Sequence, residues 1–145
     1  MQQSRDLERA CQMLKEQELT CAFVKDDLVY ISKERGVRPL LECYKGKQME
    51  PGFSAADKVV GKAAAFLYVL LGVGEIYTDV ISRPALDVLN RAGIDVSYGQ
   101  LADAIRNRVG TGFCPMETAV MDIQEPDSAL AAVEETLAKM KKRGE

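Results

Sequence analysis

The sequence has no histidine. That removes a common zinc ligand and the side chain that most often serves as a general base near neutral pH. Its four cysteines, Cys11, Cys21, Cys43 and Cys114, are far apart and form no C-x-x-C pair, so no structural zinc is expected. Cys11, Cys21 and Cys43 read as small hydrophobes packed in a reduced interior. No long apolar run is present: the longest, around Ala63 to Val73, is too short to span a bilayer, and the polar start Met1-Gln2-Gln3-Ser4-Arg5-Asp6 has no signal core. Both points lead to the expectation of a cytoplasmic protein without membrane contact. Excess positive charge is missing too. With 19 Lys and Arg against 22 Asp and Glu the net charge is -3, which argues against a broad nucleic-acid footprint. There is no internal repeat and no low-complexity segment.

What is present suits one α/β domain: 145 residues, 47% hydrophobic and 28% charged. Leu7, Ala10, Cys11 and Leu14 recur at helical spacing and predict a helix from about Ser4 to Gln17. Thr20 to Lys25 and Leu28 to Ser32 flank Asp26-Asp27 and predict a β-hairpin. Leu40 to Tyr44 reads as a further strand. Ser54, three residues before Asp57, reads as the N-cap of a long, nearly buried helix ending about Leu71, before Gly72 and Gly74. Glu75 to Ile81 predicts a strand, Ser82 and Pro84 open a helix ending at Ala92-Gly93, and Ile94 to Tyr98 supplies the next strand. That β-α-β unit builds a parallel sheet edge. Leu101 to Arg106 predicts a short helix, and helices begin at Pro115 and after Pro126.

Several residues could bind or react. On the expected first turns of the long helix, Asp57, Lys58 and Lys62 form either a solvated charged face or, with the helix amides, a receptor for phosphate or carboxylate. Gly61-Lys62-Ala63 is no P-loop, because Gly52 is nine positions upstream. Gly110-Thr111-Gly112, near Arg106 and Arg108, is a better phosphate cradle, and equally a plain flexible connector. Cys114 precedes a helix start that favours a thiolate, while Glu117 within one turn opposes it. Ser82 and Arg83 occupy a strand-to-helix junction, the usual ligand-binding end of an open α/β sheet, although Ser82 reads first as the cap of its helix.

The order helix, hairpin, buried helix, strand, helix, strand resembles the cytidine deaminase-like fold. The run Phe53-Ser54-Ala55-Ala56-Asp57-Lys58-Val59-Val60-Gly61-Lys62-Ala63-Ala64-Ala65, with Thr111-Gly112-Phe113-Cys114-Pro115-Met116-Glu117, is similar to a small uncharacterised bacterial and archaeal domain family assigned to that fold. The resemblance implies a three-layer α/β domain, a mixed sheet with helices on both faces, and self-association into a homo-oligomer. Zinc deaminases of that fold place H-x-E or C-x-E at the start of one helix and P-C-x-x-C at the start of the next. Here the expected helix starts read Asp57-Lys58-Val59 and Pro84-Ala85-Leu86-Asp87-Val88. The ligands are missing, so zinc-hydroxide attack on a base is excluded and no zinc or other cofactor is expected. The resemblance leaves a pocket in which Asp57, Lys58 and Lys62 face Thr111, Cys114 and Glu117 and hold a nucleotide or phosphorylated small molecule. A transferase or hydrolase using Cys114 as nucleophile, and a scaffold domain with a vestigial pocket, are the alternatives.

Overall fold

The computed structural model of the chain describes residues 4–34, 37–46, 50–103 and 115–142. The Ser4 hydroxyl accepts from the Leu7 amide, so the opening helix α1 (Arg5–Glu16) begins where an otherwise unpaired amide finds an acceptor. Leu7, Ala10 and Leu14 form its buried stripe. Strands β1 (Cys21–Lys25) and β2 (Leu28–Ser32) pair antiparallel across Asp26-Asp27, with Asp26 at φ 52°, a left-handed conformation that aspartate tolerates better than most residues.

Two expectations are corrected here. Leu40 to Tyr44 lies within a helix, α2 (Arg38–Lys45): Pro39 sits in its first turn, where a missing amide costs nothing, and Leu40 and Leu41 are buried. The helix expected to open after Ser54 starts only at Lys62, because Ser54–Val60 is β3, the central strand. Ser54, Ala55 and Ala56 are poor β-formers by composition, yet their small side chains let structure pack closely on both sides. Ala55 joins the large core that holds the next helix, and Ala56 joins the small core under α1. Position in the sheet has overridden intrinsic propensity.

Helix α3 (Lys62–Leu71) follows, buried on almost every side and closed by Gly72 at φ 73°, a left-handed conformation natural to glycine. Then come β4 (Glu75–Ser82), α4 (Arg83–Arg91) and β5 (Asp95–Ala102), the β-α-β unit expected from the sequence. Leu101 and Ala102 end β5 instead of opening a helix. Short helix α5 (Pro115–Val120) and long helix α6 (Pro126–Lys142) complete the chain. The sheet order is β2-β1-β3-β4-β5. The β1 pairings are antiparallel, whereas β3, β4 and β5 run parallel. Helix α1 packs on one face through Ala10 and Leu14 against Ala22, Val24 and Ala56. The large core on the other face draws on α2, α3, α4, α5 and α6. The result is a mixed five-stranded sheet with helices on both sides, and it brings the start of α3 and the carboxyl end of β3 together.

Candidate functional site

The start of α3 is held by a carboxylate from another element. The Glu117 side chain, on α5, accepts from the Lys62 amide at 2.7 Å and the Ala63 amide at 3.0 Å. These are donors that a helix start leaves unpaired, and an anion there also meets the positive end of the helix dipole. Room for the carboxylate comes from Gly61, since a Cβ there would stand 2.5 Å from Glu117 Cδ. Lys62 itself is only 8% exposed. Its ammonium donates to the Met121 carbonyl at 2.9 Å and lies 5.7 Å from the centre of the Phe66 ring. Lys62 and Glu117, expected to face one another across a pocket, are instead parts of one clasp joining α3 to α5.

Asp57 is not on a helix turn but is the middle residue of β3, opposite Cys21 of β1 and Thr78 of β4. The residue is partly exposed, and its carboxyl receives the Tyr68 hydroxyl, from α3, at 2.5 Å. The Val59 amide approaches its other oxygen at 3.4 Å. Burial pushes the Asp57 carboxyl up from 3.8 to about 7, against the opposing hydrogen bonds of Tyr68, Val59 and Lys58, while the Asp79 carboxylate adds to the rise. The same burial, with Asp57 beside it, carries the Tyr68 hydroxyl well above its ordinary range. Burial likewise raises the thiols of Cys21 and Cys43, so neither is a ready nucleophile. The Phe23 ring meets Tyr68 edge-on at 5.9 Å and also walls a cleft of about 280 Å³ between β2 and α2, lined in addition by Tyr30, Ser32, Glu34, Glu42 and Cys43.

The remaining expected site residues scatter. Ser54 is buried at the start of β3 and caps no helix. The Ser82 hydroxyl, fully buried, accepts from the Ala85 amide and caps α4. Arg83 pairs with Asp103 at 2.8 Å on the surface, where such a pair contributes little. Lys58 is exposed on β3. Thr111, Cys114, Arg106 and Arg108 lie outside the described residues. Among the described residues no cluster of three or more His, Cys, Asp or Glu could hold a metal ion, and no helix is long and apolar enough to cross a membrane. Sequence reasoning missed Tyr68. The available signal was a single hydroxyl in an otherwise apolar helix, between Leu67 and Val69.

Comparison with known proteins places this geometry in a family. A model described as TM1506, domain of unknown function (DUF1893), matches residues 9–137. The crystal structure of a DUF1893 family protein, TM1506 from Thermotoga maritima, superposes with a TM-score of 0.84 at 27% identity over 92% of each chain. No curated protein matches the chain.

Two predictions come from these contacts. Glu117→Ala should cost about 1–3 kcal/mol, the range for leaving buried donors without their acceptor. Gly61→Ala should displace the same carboxylate, so the double variant should lose clearly less than the sum of the singles in urea unfolding; additive losses would separate Gly61 from Glu117. The second concerns Asp57. Its raised carboxyl keeps a proton in the folded chain between about pH 4 and about pH 7 that the unfolded chain has lost, so its contribution to stability falls as pH rises through that window and is level above it. Asp57→Asn lacks this component. Wild type should therefore weaken relative to Asp57→Asn from about pH 4 to about pH 7, and a pH-independent difference in unfolding free energy would contradict the assignment.

Proposed function

The chain belongs to the DUF1893 family, a domain of unknown function, and we propose that it is a small-molecule-binding domain with a cytidine deaminase-like arrangement and no zinc chemistry. Its site centres on Asp57, and its ligand is a nucleotide or a related phosphorylated molecule. The observation that carries this reading is an aspartate in the middle of the central strand whose dehydrated carboxyl is tied to Tyr68 at 2.5 Å and raised to about 7. A carboxyl close to its midpoint at neutral pH accepts a hydrogen bond in one state and donates one in the other, which suits the mixed donor and acceptor edge of a nucleobase.

Topology supports the deaminase-like part of the reading. After the hairpin the chain runs α2, β3, α3, β4, with β2-β1-β3-β4-β5 across the sheet. The two helix starts beside the central strand are then Arg38-Pro39-Leu40 and Lys62-Ala63-Ala64-Ala65, so the comparison with Pro84 moves to α3. Neither start offers a histidine or a thiol. The phosphate half of the ligand is assigned, from charge and glycine content alone, to Arg106 to Gly112, which lies outside the described residues and precedes α5 in the sequence. A phosphate seated on the α3 amides themselves would first have to displace Glu117.

The test is a thermal-shift screen of nucleoside mono-, di- and triphosphates and sugar phosphates on the full chain. At a hundredfold excess over its dissociation constant, a ligand of the native state adds about 2.7 kcal/mol. At least one nucleotide should raise the melting temperature of wild type, and the rise should shrink in Asp57→Asn relative to that variant's own ligand-free value. No stabilising compound, or an equal rise in both proteins, would refute the proposal.

A further inference from the structure

Strand β2 is an outer edge of the sheet, and its five residues, Leu28-Val29-Tyr30-Ile31-Ser32, include no charge and no proline. Proteins usually protect such an edge with one or the other, since its free backbone groups invite pairing. Leu28, Val29 and Ile31 are 46%, 37% and 49% exposed. The edge is also firmly placed. Arg9 of α1 donates to the Asp26 carbonyl at 2.6 Å, and the Asp26 amide donates to Asp6 at 3.2 Å.

The hairpin register decides which groups point outward. Lys25 and Leu28 close the two-residue turn as a pair, followed by Val24 with Val29, Phe23 with Tyr30 and Ala22 with Ile31. In the antiparallel alternation Leu28 and Tyr30 turn their backbone groups toward β1, whereas Val29 and Ile31 turn theirs away from the sheet. Val29 and Ile31 share a sheet face with their partners Val24 and Ala22, on the α1 side. The flanking residues continue that row: Asp27 at one end and Lys33 at the other are exposed, and neither has an ion pair among the described residues.

The geometry points to β2 of a second copy of this chain as the occupant of the edge, paired antiparallel about a two-fold axis through Tyr30. In that register Val29 opposes Ile31 of the second copy and Ile31 opposes its Val29, so every outward amide and carbonyl of these residues has a partner. Asp27 opposes Lys33 of the second copy at both ends. The pattern is self-complementary, as a two-fold interface requires. Neighbouring registers lose this match. Centring on Val29 sets Ile31 against Asp27, and centring on Ile31 sets Val29 against Lys33. Two sheets so joined form one of ten strands, and the two exposed edges become interior. A short edge buries less than the roughly 1,600 Å² of a standard interface, so the dimer should be weak, with dissociation in the micromolar range.

Sedimentation equilibrium of the full chain from about 5 to about 500 µM, a span that brackets micromolar dissociation, measures the assembly. Wild type should pass from monomer to dimer. Asp27→Lys and Lys33→Asp, each placing like charges together twice, should weaken it on the order of tenfold. The exchange of both charges in one chain should restore it to within a few-fold of wild type. Val29→Lys with Ile31→Lys should abolish it, with circular dichroism melting curves confirming that each variant is folded. A monomer at every concentration, a dimer indifferent to the single reversals, or failure of the exchanged pair to restore association would each overturn the proposal.

Discussion

Helix α3 is buried on almost every side, and that constraint organises much of what surrounds it. A helix with no wet face cannot leave its first amides, a lysine or a tyrosine hydroxyl to water, because an unpaired polar group in the interior costs more than the hydrogen bond it forgoes. Each is satisfied from a different element. Glu117 of α5 takes the amides, the Met121 carbonyl takes the Lys62 ammonium, and Asp57 of β3 takes the Tyr68 hydroxyl. Among the described residues no buried side-chain polar atom lacks a partner. The same set of contacts therefore seats the helix and draws β3 and the α5 segment against it.

That arrangement also shapes the proposed site. Asp57 is dehydrated by the packing that buries Tyr68, so its carboxyl rises toward neutrality although the residue as a whole is not fully buried. A fully solvated aspartate would be an ordinary anion, and a fully enclosed one would be a structural hydrogen-bond acceptor. The intermediate position gives it two useful protonation states near neutral pH. The clasp at Gly61 acts at the other end of the same short stretch of chain, where it fixes α5 next to the carboxyl end of β3.

Where local pattern and tertiary position agree, the fold is readable in the sequence. The α1 stripe, the hairpin across Asp26-Asp27 and the unit β4-α4-β5 with its Ser82 cap follow from spacing and turn chemistry alone. Ser54 to Val60 failed because alanine and serine suit a helix by composition, and nothing local shows that they occupy the middle of a sheet packed from both sides. Leu40 to Tyr44 failed because a five-residue apolar run fits either period, although Pro39 was a usable signal for a helix start. The candidate site followed the same division. Asp57, Lys62 and Glu117 were each singled out, but their pairing depends on contacts 11 residues apart for Asp57 with Tyr68 and 55 for Lys62 with Glu117, which no local pattern encodes.

The chemistry proposed for this domain turns on the protonation of one side chain. Carbon-13 NMR of the full chain labelled at aspartate carboxyls, with Asp57 assigned by its loss in Asp57→Asn, follows that carboxyl directly across pH. The dehydrated, Tyr68-bound carboxyl should titrate with a midpoint near 7. A midpoint at the ordinary 3.8 would mean that the carboxyl is solvated and charged throughout, and would contradict the site described above.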